Sequence, residues 1–152
     1  ALEDAVAAYA WLVTQQGIPE EKLCVSGDSA GGHLAASLLY ELSAVQPGSS
    51  RDPAVRTASG AGVAATAGPG GRPLRLPSTA ALISPWLDLS QWRPSHAAGA
   101  GCDILATTHL TSDTAGLAAY ARMFRGHLPA DSPYASPVFA DYAGLPTRVF
   151  VL

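Results

Sequence analysis

The stretch Val25-Ser26-Gly27-Asp28-Ser29-Ala30-Gly31-Gly32-His33 constrains the chain more than any other. An apolar run, Leu23-Cys24-Val25, enters it, and a helix-period pattern, Leu34, Leu38, Leu42 and Val45, leaves it. Strand, sharp turn, helix is the context in which Gly-x-Ser-x-Gly holds a serine at the tip of a strained turn, its hydroxyl above a sheet. The two arms of such a turn crowd each other, and Gly27 and Gly31, flanking Ser29, have no Cβ to collide. The helix that follows points free N–H groups and the positive end of its dipole at the same spot, which suits a developing oxyanion. Ser29 is the candidate nucleophile and the Ala30 amide the candidate oxyanion donor, with Gly27, Asp28, Gly31 and Gly32 shaping the turn. Asp28 is expected to fix the loop by hydrogen bonds rather than to transfer protons. Gly-x-Ser-x-Gly also arises by chance in loops rich in glycine and serine; the strand and helix patterns on either side set this instance apart.

The rest of the chain alternates in the same way. Leu2, Val6, Tyr9 and Val13 repeat at helical spacing, predicting a helix over 2–16 with Glu3 and Asp4 in its first turn and Gly17 and Pro19 ending it. A strand over Lys22–Gly27 and a helix over Ala30–Val45 follow. Ala80-Ala81-Leu82-Ile83, stopped by Ser84-Pro85, reads as a buried parallel strand. Thr111–Phe124 reads as a helix with Leu117, Tyr120 and Phe124 on one face, and Thr147–Leu152 as a last strand. Helices alternating with strands predict an α/β fold, a parallel sheet with flanking helices. The strand at 22–25 is expected between the strands holding Leu82 and Val149. Between the elements, Gln46–Ser78 has no apolar period and is crowded with Gly, Pro, Ser, Ala and Arg. It predicts a flexible surface insertion, or sequence foreign to the domain, within a single domain over 1–152. Arg51, Arg56, Arg72 and Arg75 would then be solvated charge.

Composition excludes several classes of partner. A net charge of −3 argues against nucleic acid and anionic membranes. No apolar run approaches the length of a membrane span, and no signal peptide opens the chain, which begins at Ala1 rather than methionine. Cys24 is expected inside a buried strand and Cys102 in a distant loop, so neither a disulfide nor a metal site is expected from them.

Gly27-Asp28-Ser29-Ala30-Gly31-Gly32-His33-Leu34-Ala35 resembles the nucleophile motif of the hormone-sensitive-lipase-like branch of the α/β-hydrolases. Ser84-Pro85-Trp86-Leu87-Asp88-Leu89-Ser90 is similar to that branch's next strand end, and Tyr134–Asp141 with Gly144-Leu145-Pro146 to the approach to the strand before its catalytic acid. The motifs stand in the family's order, and the likeness covers most of the chain apart from 46–78. It implies a partial α/β-hydrolase fold with a nucleophile elbow, and a carboxylesterase or lipase acting on small-molecule esters without a metal or organic cofactor. The family's oxyanion loop lies upstream of the first helix here, its acid just after the strand ending at Leu152, and its histidine later still. None of the three is present, so the chain resembles an internal segment of a longer hydrolase, inactive by itself.

The resemblance implies that Ser29 attacks an ester carbonyl and forms an acyl-enzyme. Three rivals are a peptidase or amidase of the same fold, a hormone-receptor-like relative that binds a ligand without turnover, and an inactive piece of an incomplete gene model. His96, His109 and His127 follow Ser29 in the chain, and Asp88, Asp103 and Asp113 carry carboxylates. None stands where this fold places its base or acid, so surface or loop roles are expected for them. His33 is expected to pack on the helix after the turn. Trp86 and Trp92 either line a substrate pocket or simply pack.

Overall fold

The computed structural model describes residues 1–46, 67–90, 94, 98 and 114–152. Its elements in chain order are α1 (Leu2–Thr14), β1 (Cys24–Asp28), α2 (Ala30–Ala44), β2 (Thr79–Ile83), α3 (Thr114–Arg125) and β3 (Arg148–Val151). Short 3₁₀ turns fall at Glu20–Lys22, Pro69–Gly71 and Pro137–Phe139. The strands form a parallel sheet in the order β1-β2-β3, with Val25 opposite Ala80 and Ala80 opposite Val149. Among the described residues β1 therefore lies at the edge of this sheet, not between the strands of Leu82 and Val149 where it was expected. The centre falls to β2 because each crossover steps on to the next position in the same direction. β2 is also the strand whose residues, Ala80, Ala81, Leu82 and Ile83, are apolar on both faces.

One face of the sheet carries the core. Val6, Tyr9 and Val13 of α1 and Leu38, Leu39 and Leu42 of α2 close over Ala80, and Ala35 and Ala36 close over Leu82. α2 is buried almost all round, from Gly32 to Ser43. On the opposite face Cys24, Ser26, Ile83 and Phe150 are exposed, and β3 is exposed along its whole length. Cys24 is thus an exposed free thiol rather than a buried one, because alternate residues of β1 point away from α2. Cys102 lies outside the described residues.

The segment expected to be structureless is ordered in its last part. Residues 67–73 make a small turn closed by a bridge between Ala67 and Pro73, and Leu74, Leu76 and Pro77 are buried. Arg72 and Arg75 are paired rather than free charge, although the Arg75 side chain stays exposed. Arg72 makes a two-pronged pair with Glu20, Nη1 to Oε1 at 2.7 Å and Nη2 to Oε2 at 2.9 Å. The Arg75 amide donates to the same carboxylate at 3.2 Å. The Tyr9 hydroxyl donates to the Arg75 carbonyl at 3.0 Å, so the clamp joins α1, the turn before β1 and the approach to β2. Burial alone would raise the Glu20 pKa; the Arg72 hydrogen bonds and the Arg75 amide outweigh it and hold the carboxyl at about 2. Burial, reinforced by the Glu20 charge, pushes the Tyr9 hydroxyl well above its ordinary value. The remainder of the segment, 47–66 with Arg51 and Arg56, lies outside the described residues.

α3 also differs from its expected face. Among the described side chains of α3, Ala121 is the buried one, Tyr120 and Met123 are exposed, and Phe124 is partly covered by its contact with His33; the Leu117 side chain lies outside the described residues. Two of the resembling motifs meet in space: the Leu89 amide donates to Ser136 Oγ at 2.8 Å and the Val138 amide to the Leu87 carbonyl at 3.2 Å. Glu41 of α2, fully buried, accepts a 2.7 Å hydrogen bond from the Tyr134 hydroxyl.

Candidate active site

β1 ends and α2 begins on either side of Ser29, which adopts φ 54° and ψ −114°. For a residue with a Cβ this is a costly conformation, worth about 1–3 kcal/mol, that persists only where the surroundings impose it. Here the backbone bonds do so. The Ser29 amide donates to the Ile83 carbonyl at 2.9 Å, tying the turn to the end of β2. The Ser29 carbonyl accepts from the amides of His33 and Trp86, both at 3.1 Å. The side chain is exposed, and among the described residues its hydroxyl makes no hydrogen bond. Next to it, Ser84 has φ 41° and donates its amide to the Leu152 carbonyl at 2.7 Å. Ser29 and Ser84, both strained, therefore sit at adjacent strand ends, on the side of the sheet where open α/β folds bind ligands.

Close packing fixes the glycines in a different pattern from the expected one. A Cβ on Gly27 would lie 2.2 Å from the Gly31 carbonyl carbon and oxygen, so this position excludes any other residue. A Cβ on Gly31 would meet nothing within 4 Å. The second tight position is Gly32, where a Cβ would fall 2.8 Å from Pro85 Cβ and 3.0 Å from the Gly27 carbonyl oxygen. Neither space nor backbone conformation therefore demands a glycine at 31, whereas Gly32 is needed for the approach of the Ser84-Pro85-Trp86 segment.

Ala30 opens α2, and among the described residues its N–H donates to nothing, as befits the first turn of a helix. Asp28 is exposed, and among the described residues its carboxylate makes no hydrogen bond; the loop is held by backbone groups instead. His33 packs as expected. It is 1% exposed, with Nδ1 2.9 Å from the Trp86 carbonyl and its ring edge-on to Phe124 at 4.7 Å. Burial lowers its pKa, against the opposing pull of the Trp86 and Tyr134 carbonyls. Trp86 is half-buried, and its backbone lies against the turn. Asp88 accepts hydrogen bonds from the amide and hydroxyl of Ser90. His127 is exposed at the end of α3. Trp92, His96, Asp103, His109 and Asp113 lie outside the described residues. Among the described residues, no three His, Cys, Asp or Glu side chains cluster to hold a metal, and no helix is long and apolar enough to cross a membrane.

A family model described as the alpha/beta hydrolase fold matches residues 1–152. The chain belongs to the α/β-hydrolase family. An acetyl-hydrolase of Streptomyces hygroscopicus is 35% identical over 146 residues, which are 96% of this chain and 38% of that protein. Among solved structures, an esterase/lipase from an uncultured bacterium is 30% identical with a TM-score of 0.67, covering 99% of this chain and 39% of its own. A hormone-sensitive lipase from a metagenome library is 27% identical with a TM-score of 0.66, covering 99% of this chain and 40% of its own. The chain thus spans about two-fifths of the length of these relatives. Its parallel sheet, flanking helices and strand-to-helix turn form part of the α/β-hydrolase fold. The hydrolase signal at 25–33 was readable from sequence; the contacts of Gly32 with Pro85 and of His33 with Trp86 were not, since each spans 53 residues.

Proposed function

We propose that this chain is the nucleophile-bearing segment of a serine carboxylic-ester hydrolase acting on small-molecule esters. The observation that carries the reading is the Ser29 backbone, a non-glycine residue at φ 54° between a strand and a helix, with its hydroxyl exposed and unengaged among the described residues. The curated relative named as an acetyl-hydrolase and the solved neighbours named as esterases and lipases support the same chemistry.

In the reaction, Ser29 Oγ attacks the ester carbonyl carbon while a histidine from the rest of the hydrolase takes its proton. The carbonyl oxygen becomes an oxyanion, and the Ala30 N–H faces it. The Ser29 amide cannot serve, because it is committed to Ile83. Collapse breaks the carbonyl–alkoxy bond, the alcohol leaves with the proton from the histidine, and Ser29 is acylated. Water, deprotonated by the same histidine, then attacks the acyl carbon, releases the acid and returns the proton to Ser29. Trp86 would wall the substrate beside the nucleophile, and the chemistry needs no cofactor.

The test is made in the complete hydrolase carrying this segment, with p-nitrophenyl butyrate and a fluorophosphonate probe. Turnover and covalent labelling that both vanish in Ser29→Ala, at unchanged thermal stability, are expected. Turnover that survives in Ser29→Ala overturns the reading. Ligand binding without turnover in the parent would point to a receptor-like relative instead.

A further inference from the structure

We infer that His33 is a positioning residue for this chemistry, aiming the Ala30 N–H through the backbone of Trp86; the assignment rests on Ser29 being the nucleophile. Ser29, His33 and Trp86 close a ring of hydrogen bonds. The His33 amide and the Trp86 amide both donate to the Ser29 carbonyl at 3.1 Å, and the Trp86 carbonyl lies 2.9 Å from His33 Nδ1. A carbonyl can only accept, so Nδ1 carries the proton and the ring is the Nδ1–H tautomer. Trp86 is consequently gripped at both of its backbone polar atoms.

The consequence follows from peptide planarity. The Ser29 carbonyl and the Ala30 N–H belong to one rigid peptide plane and point in opposite directions within it. Two donors fixing the carbonyl therefore also fix where the Ala30 N–H points. One of these donors, the Trp86 amide, comes from a separate strand end 57 positions along the chain. Among the described residues, what holds it there, apart from the neighbouring chain, is the His33 side chain. The ring is 1% exposed and packs edge-on against Phe124, and although the Tyr134 carbonyl also acts on it, Nε2 makes no hydrogen bond among the described residues. A buried imidazole with one nitrogen left unsatisfied is a poor choice for stability alone. It is a good choice for a donor fixed in direction by a tightly packed ring.

The experiment compares His33→Leu and His33→Asn with the parent in the complete hydrolase. Leucine fills similar space, removes the unsatisfied Nε2 and deletes the donor. Asparagine places an amide N–H close to the position of Nδ1. His33→Leu is expected to lose about 10- to 100-fold in kcat, short of the ~10²–10³ for deleting an oxyanion donor outright, with KM and Tm held or Tm raised. His33→Asn is expected to stay within about threefold of the parent kcat. The ¹⁵N spectrum of the parent should show His33 protonated at Nδ1 and bare at Nε2.

The inference fails if His33→Leu keeps its kcat, if its kcat and Tm fall together, or if asparagine fails to restore turnover. It fails equally if the ring proves to be the Nε2–H tautomer, a measurement that holds even where the leucine variant does not fold. Failure of the nucleophile reading is seen separately, as parent and Ser29→Ala turning over alike, and the tautomer then still decides whether the clamp exists.

Discussion

Replacing Gly27 by alanine should break the turn, and replacing Gly31 should not. A Cβ at Gly27 would stand 2.2 Å from the carbonyl carbon and oxygen of Gly31 and 2.7 Å from the Gly32 amide nitrogen. The optimum for such contacts is about 3.5–4.0 Å, so the overlap exceeds roughly 1 Å. Overpacking against side chains costs about 1–3 kcal/mol because they can rotate away. Here the colliding atoms are backbone of the first turn of α2, which the Ser29 and Trp86 bonds and the buried body of α2 hold in place. The cost should therefore lie above that range, about 4 kcal/mol, a large share of the ~5–15 kcal/mol that holds a domain together. Gly31→Ala meets nothing within 4 Å and replaces a helical glycine, so it should be neutral or stabilising by about 0.5–1 kcal/mol. Thermal and urea unfolding of both variants in the complete hydrolase measure the difference. Equal damage from the two, or a Gly27→Ala protein of parental stability, would refute the steric reasoning.

Other outcomes follow from the clamp, the core and the sheet. Glu20, held at about 2 against an ordinary 4.5, has a depressed folded-state pKa, so its stabilisation is full above pH 4.5 and is lost as pH falls towards 2. The amount is about 3 kcal/mol, and urea unfolding from pH 2 to 6 should show the gap between parent and Glu20→Gln closing across that window. Tyr134→Phe removes the 2.7 Å hydrogen bond to buried Glu41 and should cost about 1–3 kcal/mol in unfolding free energy, without altering KM. The 152-residue chain expressed alone should show neither a cooperative thermal transition nor Ser29-dependent hydrolysis of p-nitrophenyl butyrate. Its three-stranded sheet leaves one face and the β3 edge uncovered, with Phe150 at 55% and Val151 at 63% exposure.

What could be read from the sequence was what is decided locally. The turn at Ser29 and helix α2 depend on neighbours within a few positions, and glycine spacing and apolar period report them. The observed bounds, Cys24–Asp28 and Ala30–Ala44, lie within two residues of the expected strand and helix. What escaped was decided at a distance. Gly32 looks like one more glycine until Pro85 arrives beside it, and Glu20 like a solvent-facing acid until Arg72 and Arg75 fold back over it. Their segment, rich in glycine and proline, carries Leu74 and Leu76 too briefly to show a period, although both are core residues. Strand order is likewise invisible to local pattern. The cue lay in comparing β1, with polar Ser26 and Asp28, with β2, apolar on both faces.

The Glu20 clamp also bears on how such a sequence can change over generations. Its carboxylate is 2% exposed and answers to two arginines more than fifty positions downstream. Losing Arg72 first strands a buried negative charge, and losing Glu20 first leaves a guanidinium facing a vacated hollow, so either single step is penalised more than the finished exchange. Lineages can cross from this ion cluster to an apolar substitute only by near-simultaneous replacement or through a compensating neighbour. The positions 20, 72 and 75 should accordingly drift as a block, and a homologue that differs at one of them should differ at the others.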